Sequence, residues 1–211
     1  SAEKRHLKPL LVIKHSLSCA REATIPPERS INRYTARHFF TFPSRLFMNF
    51  ASLGLAQELL HAIKVIGFKT LTPIQQEAIP AARRGIDLLA TAQTGTGKTA
   101  AYSLPVLQQM LEKPKHTEAG FVRTLILAPT RELVEQIAAA MQQFAQFTPY
   151  KIATVYGGVK LTGQSAKLRA GVDILVATPG RLKEHVELGN INLAKTEFVV
   201  LDEADRMMDM G

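Results

Sequence analysis

Residues 92–100, AQTGTGKTA, place two glycines, three threonines and one lysine directly after the apolar run IDLLAT. A strand ending at Thr91, a loop holding Gly95 and Gly97 and a helix starting near Lys98 would aim successive backbone N–H groups and the helix dipole at one anion. Phosphate fits that description. The glycines let the backbone approach closely, Lys98 brings a positive charge to the β- and γ-phosphates, and the Thr99 hydroxyl is placed to ligate Mg2+. Ala92 stands where the general GxxxxGK[ST] pattern has its first glycine, so the match is to the variant AxTGxGKT. A chance glycine-rich turn is the competing reading, and the flanking strand and helix weigh against it.

A second cluster carries the complementary chemistry. VVLDEAD, residues 199–205, runs an apolar strand into Asp202, Glu203 and Asp205. In that arrangement an acid at the strand tip, Asp202, faces Mg2+ and the next, Glu203, can orient a water for hydrolysis. Solvated carboxylates at a helix N-terminus, favoured by the dipole, are the bland alternative. Pairing with the glycine loop tips the balance toward hydrolysis.

Such groups need a rigid frame, and the pattern supplies one. IDLLAT, RTLILA, KIATVY, VDILVA and FVVLD are short, apolar and flanked by turn or polar residues, so they read as five buried strands. Between them, RELVEQIAAAMQQFAQF places Leu133, Ile137, Met141 and Phe144 on one helical face, a core stripe. The alternation predicts an α/β domain, a parallel sheet flanked by helices, with glycine- and threonine-rich segments at the strand ends where open sheets bind ligands.

Composition sets the outer bounds. The 211 residues, 46% hydrophobic, suffice for one core with an extension. No run of 18 apolar residues and no secretory layout occurs, which leads to the expectation of a soluble cytoplasmic protein without membrane contact. A lone cysteine, Cys19, excludes an internal disulfide, and no Cys/His spacing suits zinc, so any metal is expected to have oxygen ligands. The net charge of +8 is uneven: residues 1–47 hold nine Lys/Arg against three Asp/Glu, and the remainder seventeen against fifteen. Residues 1–47 lack a sustained period and read as a basic leader, loosely ordered or non-native, ahead of a domain at 48–211. A phosphate-gripping arm or an Arg-rich targeting peptide are its functional readings.

Further motifs fall in one order along the chain. GFKTLTPIQ spans residues 67–75 with Phe50 seventeen positions upstream, and AQTGTGKT, PTREL at 129–133, Gly157–Gly158, TPGR at 178–181 and DEAD at 202–205 come after it. This series resembles the first RecA-like domain of the DEAD-box RNA helicases, covering roughly residues 48–211, and the start near Met48 is similar to bacterial members of the RhlE type. The resemblance implies a RecA-like P-loop NTPase fold and an RNA-dependent ATPase using ATP and Mg2+. Phe50, Phe68, Thr72, Gln75, Gln93, Thr94, Gly95, Thr96, Gly97, Lys98 and Thr99 are implied as the nucleotide set. Gln75 would read the adenine edge, with Phe68 or Phe50 on the ring face, selecting ATP over GTP. Lys98, Asp202 and Glu203 are implied as catalytic, and Thr99 and Asp202 as metal ligands. Pro129, Thr130, Arg131, Gly157, Gly158, Thr178, Pro179, Gly180 and Arg181 are implied as contacts to the RNA backbone, largely sequence-independent.

In that family the DEAD residues are succeeded by a Ser-Ala-Thr motif and a second RecA-like domain with its arginine fingers. The resemblance therefore implies a monomeric fragment, nearly inactive alone, that closes on RNA, single-stranded or duplex, with that second domain. Two other functions fit parts of the pattern. A DNA-directed P-loop translocase is disfavoured by the 67–75 motif, and a non-enzymatic RNA-binding scaffold by intact Lys98, Thr99, Asp202 and Glu203.

Overall fold

The computed structural model describes residues 10–15, 33–34, 49–91 and 95–209. Strands β1 (Leu10–His15) and β2 (Arg33–Tyr34) precede a short 3-10 turn at Phe50–Leu53. Then come α1 (Gln57–Ile66), α2 (Pro73–Arg83), β3 (Leu88–Thr91), α3 (Lys98–Glu112) and β4 (Thr124–Leu127). The rest alternates: α4 (Arg131–Ala145), β5 (Ile152–Val155), α5 (Leu161–Arg169), β6 (Ile174–Ala177), α6 (Pro179–Glu187), β7 (Phe198–Leu201) and α7 (Ala204–Asp209). All five expected strands form, each trimmed by one or two residues.

The strands make one sheet in the order β2-β3-β1-β7-β4-β6-β5. The pairs β7–β4, β4–β6 and β6–β5 are parallel, as α/β crossovers require. One strand departs from the expected parallel sheet: β1 runs antiparallel to both β3 and β7 and lies between them. Residues 10–15 and 33–34 thus form strands within the stretch read as loosely ordered. LLVIKH is an apolar run of strand length, and the surrounding prolines and charges hid that signal.

Alternate residues along the strands feed two cores. Ile126, Ile174, Val176, Phe198 and Val200 face a cluster with Leu59, Ile79, Leu104, Leu107, Ile137 and Met141 from α1 to α4. Leu125, Val155, Leu175 and Ala177 face the other side, against Leu168 of α5 and Leu182 of α6. The helical stripe read from the sequence is that first core: Ile137, Met141 and Phe144 are buried and Leu133 packs at its edge. Burying each such side chain contributes about 1.5–3 kcal/mol. With helices on both faces, ligand groups can emerge only at the strand ends. Among the described residues no helix is long and apolar enough to cross a membrane.

Candidate functional site

At the end of β3 the chain enters the glycine loop and emerges as α3 at Lys98. Gly95 (φ 79°) and Gly97 (φ 87°) are left-handed, a conformation that side-chain-bearing residues rarely adopt. At Gly97 a Cβ would also collide with the Gln75 amide, so close approach as well as backbone angle demands glycine there. Lys98 is buried, and its Nζ has no hydrogen-bond partner among the described residues. A buried, unpartnered ammonium is unfavourable by itself and marks a place built for an anion. Gln93 and Thr94 lie outside the described residues; Thr96 and Thr99 are half-buried beside the loop.

Across from the loop, β7 ends at Leu201 and delivers Asp202, which is 4% exposed. Burial pushes its carboxyl above the usual carboxylate range, while Lys98, the Tyr102 hydroxyl and the Glu203 backbone N–H act the other way. Tyr102 Oη donates to Asp202 Oδ2 at 3.2 Å. The Tyr102 phenol is itself raised well above its ordinary value, by burial first and by Asp202 second. Glu203 has φ 53°, the single non-glycine residue with positive φ among those described, and its carboxylate meets Arg206 at 3.5 Å. A left-handed glutamate carries strain of order 1–3 kcal/mol, a feature that clusters at functional sites.

Gln75 packs against the glycine loop. It is 2% exposed and both ends of its amide are engaged: Oε1 accepts from Thr72 N at 3.0 Å and Nε2 donates to the Gly97 carbonyl at 3.2 Å. In this structure the amide ties the start of α2 to the glycine loop, so any contact with an adenine edge must share or replace these bonds. Phe50 is buried and Phe68 is 40% exposed, with ring centroids 6.1 Å apart and planes 28° from parallel. The open aromatic face therefore belongs to Phe68, backed by Phe50.

The residues expected to touch RNA share one edge of the sheet. Thr130 caps α4, accepting from Leu133 N at 3.3 Å, and the exposed Arg131 comes next. Arg131 pairs with Glu135 at 3.2 Å and lies 5.0 Å from the Tyr156 ring centroid, while Tyr156 Oη donates to Glu135 at 2.7 Å. That ties the Gly157–Gly158 loop, directly after Tyr156, to α4. Arg181 donates to the Val159 carbonyl at 3.0 Å and pairs with Glu184, tying the same loop to α6, where Thr178 and the exposed Pro179 and Gly180 sit. Pro129 is buried between the end of β4 and the start of α4.

Sequence reasoning missed several supporting groups. Gln164 bonds to both the Tyr156 N–H (3.3 Å) and its carbonyl (3.0 Å) and also meets His185 Nε2 at 3.3 Å, joining β5, α5 and α6 in one buried network. Glu135 and Tyr102 were likewise unmarked. Their only signal is helical spacing, Glu135 four residues after Arg131 and Tyr102 three after Thr99.

A doubly covered α/β sheet, with a glycine loop feeding a helix N-terminus and a buried aspartate at the neighbouring strand end, defines a P-loop nucleotide-binding domain. The DEAD/DEAH box helicase model matches residues 72–211, and the chain belongs to that family. It is 45% identical over 163 residues to the probable ATP-dependent RNA helicase DDX27 of Mus musculus, covering 77% of this chain and 21% of that protein. It is 44% identical over 162 residues to the ATP-dependent RNA helicase SrmB of Haemophilus influenzae, covering 77% and 37%. The yeast DEAD-box splicing factor Prp28 superposes with a TM-score of 0.70 at 37% identity, covering 74% of this chain and 38% of that one. The chain thus spans between about a fifth and two fifths of the relatives it matches.

Proposed function

We propose that this chain is the ATP- and RNA-binding half of an RNA-dependent ATPase, which separates short RNA duplexes when a second RecA-like domain closes on it. The observation that carries the reading is Lys98, whose buried Nζ lacks a hydrogen-bond partner among the described residues at the mouth of a glycine loop. A nucleotide β- or γ-phosphate satisfies it, and the residues around it fit Mg·ATP. Thr99 and Asp202 would hold Mg2+, which supplies Lewis-acid neutralisation of the phosphate charge. Within the chain, the loop N–H groups and Lys98 orient the phosphates. Asp202 is fixed at the strand tip, and Glu203 is positioned to orient a water. Phe68 offers a face to the base. Further along the same carboxyl ends of the strands, Arg131, the Gly157–Gly158 loop and Arg181 present donors and close backbone to a sugar-phosphate strand, contacts that read shape more than sequence. A monomer working in the cytoplasm completes this reading.

The test is phosphate release from ATP by the chain extended through a second domain, measured with and without single-stranded RNA. RNA should stimulate release severalfold or more, and DNA of the same length should not. Equal rates with and without RNA overturn the proposal.

A further inference from the structure

Tyr102 is fully buried, three residues after Thr99 on α3, so the two side chains lie on the same helical face. Its ring fills core space, as a phenylalanine would, but its hydroxyl needs a polar partner once removed from water. That partner is the site itself. Oη donates to Asp202 Oδ2 at 3.2 Å. Tyr102 thus restrains the Asp202 carboxylate from the side of α3. One buried hydroxyl therefore holds the aspartate that the nucleotide reading makes a cation ligand, and it does so from the helix that carries Thr99, the other.

We propose that Tyr102 is the positioning residue of the cation site: its hydroxyl, bonded to Asp202, fixes the orientation in which that carboxylate meets a divalent cation. This rests on the nucleotide reading above. The phenol bonds Asp202 through Oδ2 alone. Groups that orient ligands in this way commonly alter metal affinity ten- to a hundredfold when removed.

Tyr102→Phe removes the hydroxyl and keeps the ring. ADP binding to the 211-residue chain is measured by calorimetry in EDTA and at graded Mg2+, for wild type, Tyr102→Phe and Asp202→Asn. In Tyr102→Phe the half-saturating Mg2+ should rise about tenfold, while ADP affinity in EDTA stays within about twofold of wild type. Asp202→Asn should raise the same Mg2+ midpoint. A purely structural tyrosine would weaken binding in EDTA and in Mg2+ alike, and that result overturns the proposal. An unchanged or lowered midpoint in Tyr102→Phe, with Asp202→Asn shifted, overturns it and leaves the cation reading standing. No Mg2+ dependence in any of the three proteins overturns both.

Discussion

Replacing Lys98 by methionine removes its charge and keeps the length and apolar stem of the side chain. In the structure Nζ is buried and lacks a hydrogen-bond partner among the described residues, so the substitution breaks no ion pair among them. Removing one member of a buried ion pair would destabilise by about 3–5 kcal/mol. Here the ammonium loses an unfavourable burial, while Asp202 loses the favourable field of Lys98 that partly offsets its own burial. The two effects oppose, and unfolding free energy in urea should stay within about 1 kcal/mol of wild type. Nucleotide binding should behave otherwise. Hydrogen bonds to charged groups contribute about 1.5–3 kcal/mol, so the dissociation constant for ADP should rise roughly ten- to a hundredfold. Paired denaturation curves and calorimetric titrations separate the two quantities. A lysine that is structural would give the reverse pattern: a large loss of stability with affinity retained. That pattern, or affinity unchanged within about threefold, refutes the assignment of the phosphates to this loop.

Gln75→Ala removes the bond to the Gly97 carbonyl and the cap on Thr72, so it should cost about 1–2 kcal/mol in denaturation; competition titrations should show the preference for ATP over GTP falling toward parity, and undiminished selectivity would leave Gln75 with its loop-tethering role alone. His185 is held below its ordinary value by burial and then by Arg181, so the unfolded chain takes up the proton first as pH falls below about 6.5. Stability is therefore lost on acidification, by at most about 1.4 kcal/mol at pH 5.5. His185→Gln should flatten the melting-temperature difference between pH 7.5 and 5.5. Replacing Lys4, Arg5, Lys8, Arg21, Arg29, Arg37 and Arg45 by glutamine, which keeps β1 and β2 in the sheet, should weaken binding to single-stranded RNA and flatten the slope of log affinity against log salt; an unchanged slope would leave the core contacts solely responsible.

Local chemistry decided much of this protein before any tertiary contact formed. The glycine loop, the strand-tip acids and the period-2 and period-3.6 segments are short-range patterns, and left-handed glycines, helix caps and apolar faces act over a few residues. Hence β3, the Lys98 start of α3, the Met141 stripe and the end of β7 just before Asp202 were all legible in order. Relations between segments far apart along the chain were not. The antiparallel insertion of β1 between β3 and β7 depends on strand pairing across more than 70 residues, for which an isolated apolar hexamer carries no register. Nor could residue type reveal that both ends of the Gln75 amide are engaged, that Pro129 is buried, or that Gln164 joins Tyr156 to His185. Polar side chains are satisfied by whichever partner the packed core brings within about 3 Å, and that partner is chosen by the fold as a whole. The Tyr102–Asp202 bond, between residues 100 apart, exists only because α3 and β7 bring their site-bearing ends to the same edge of the sheet.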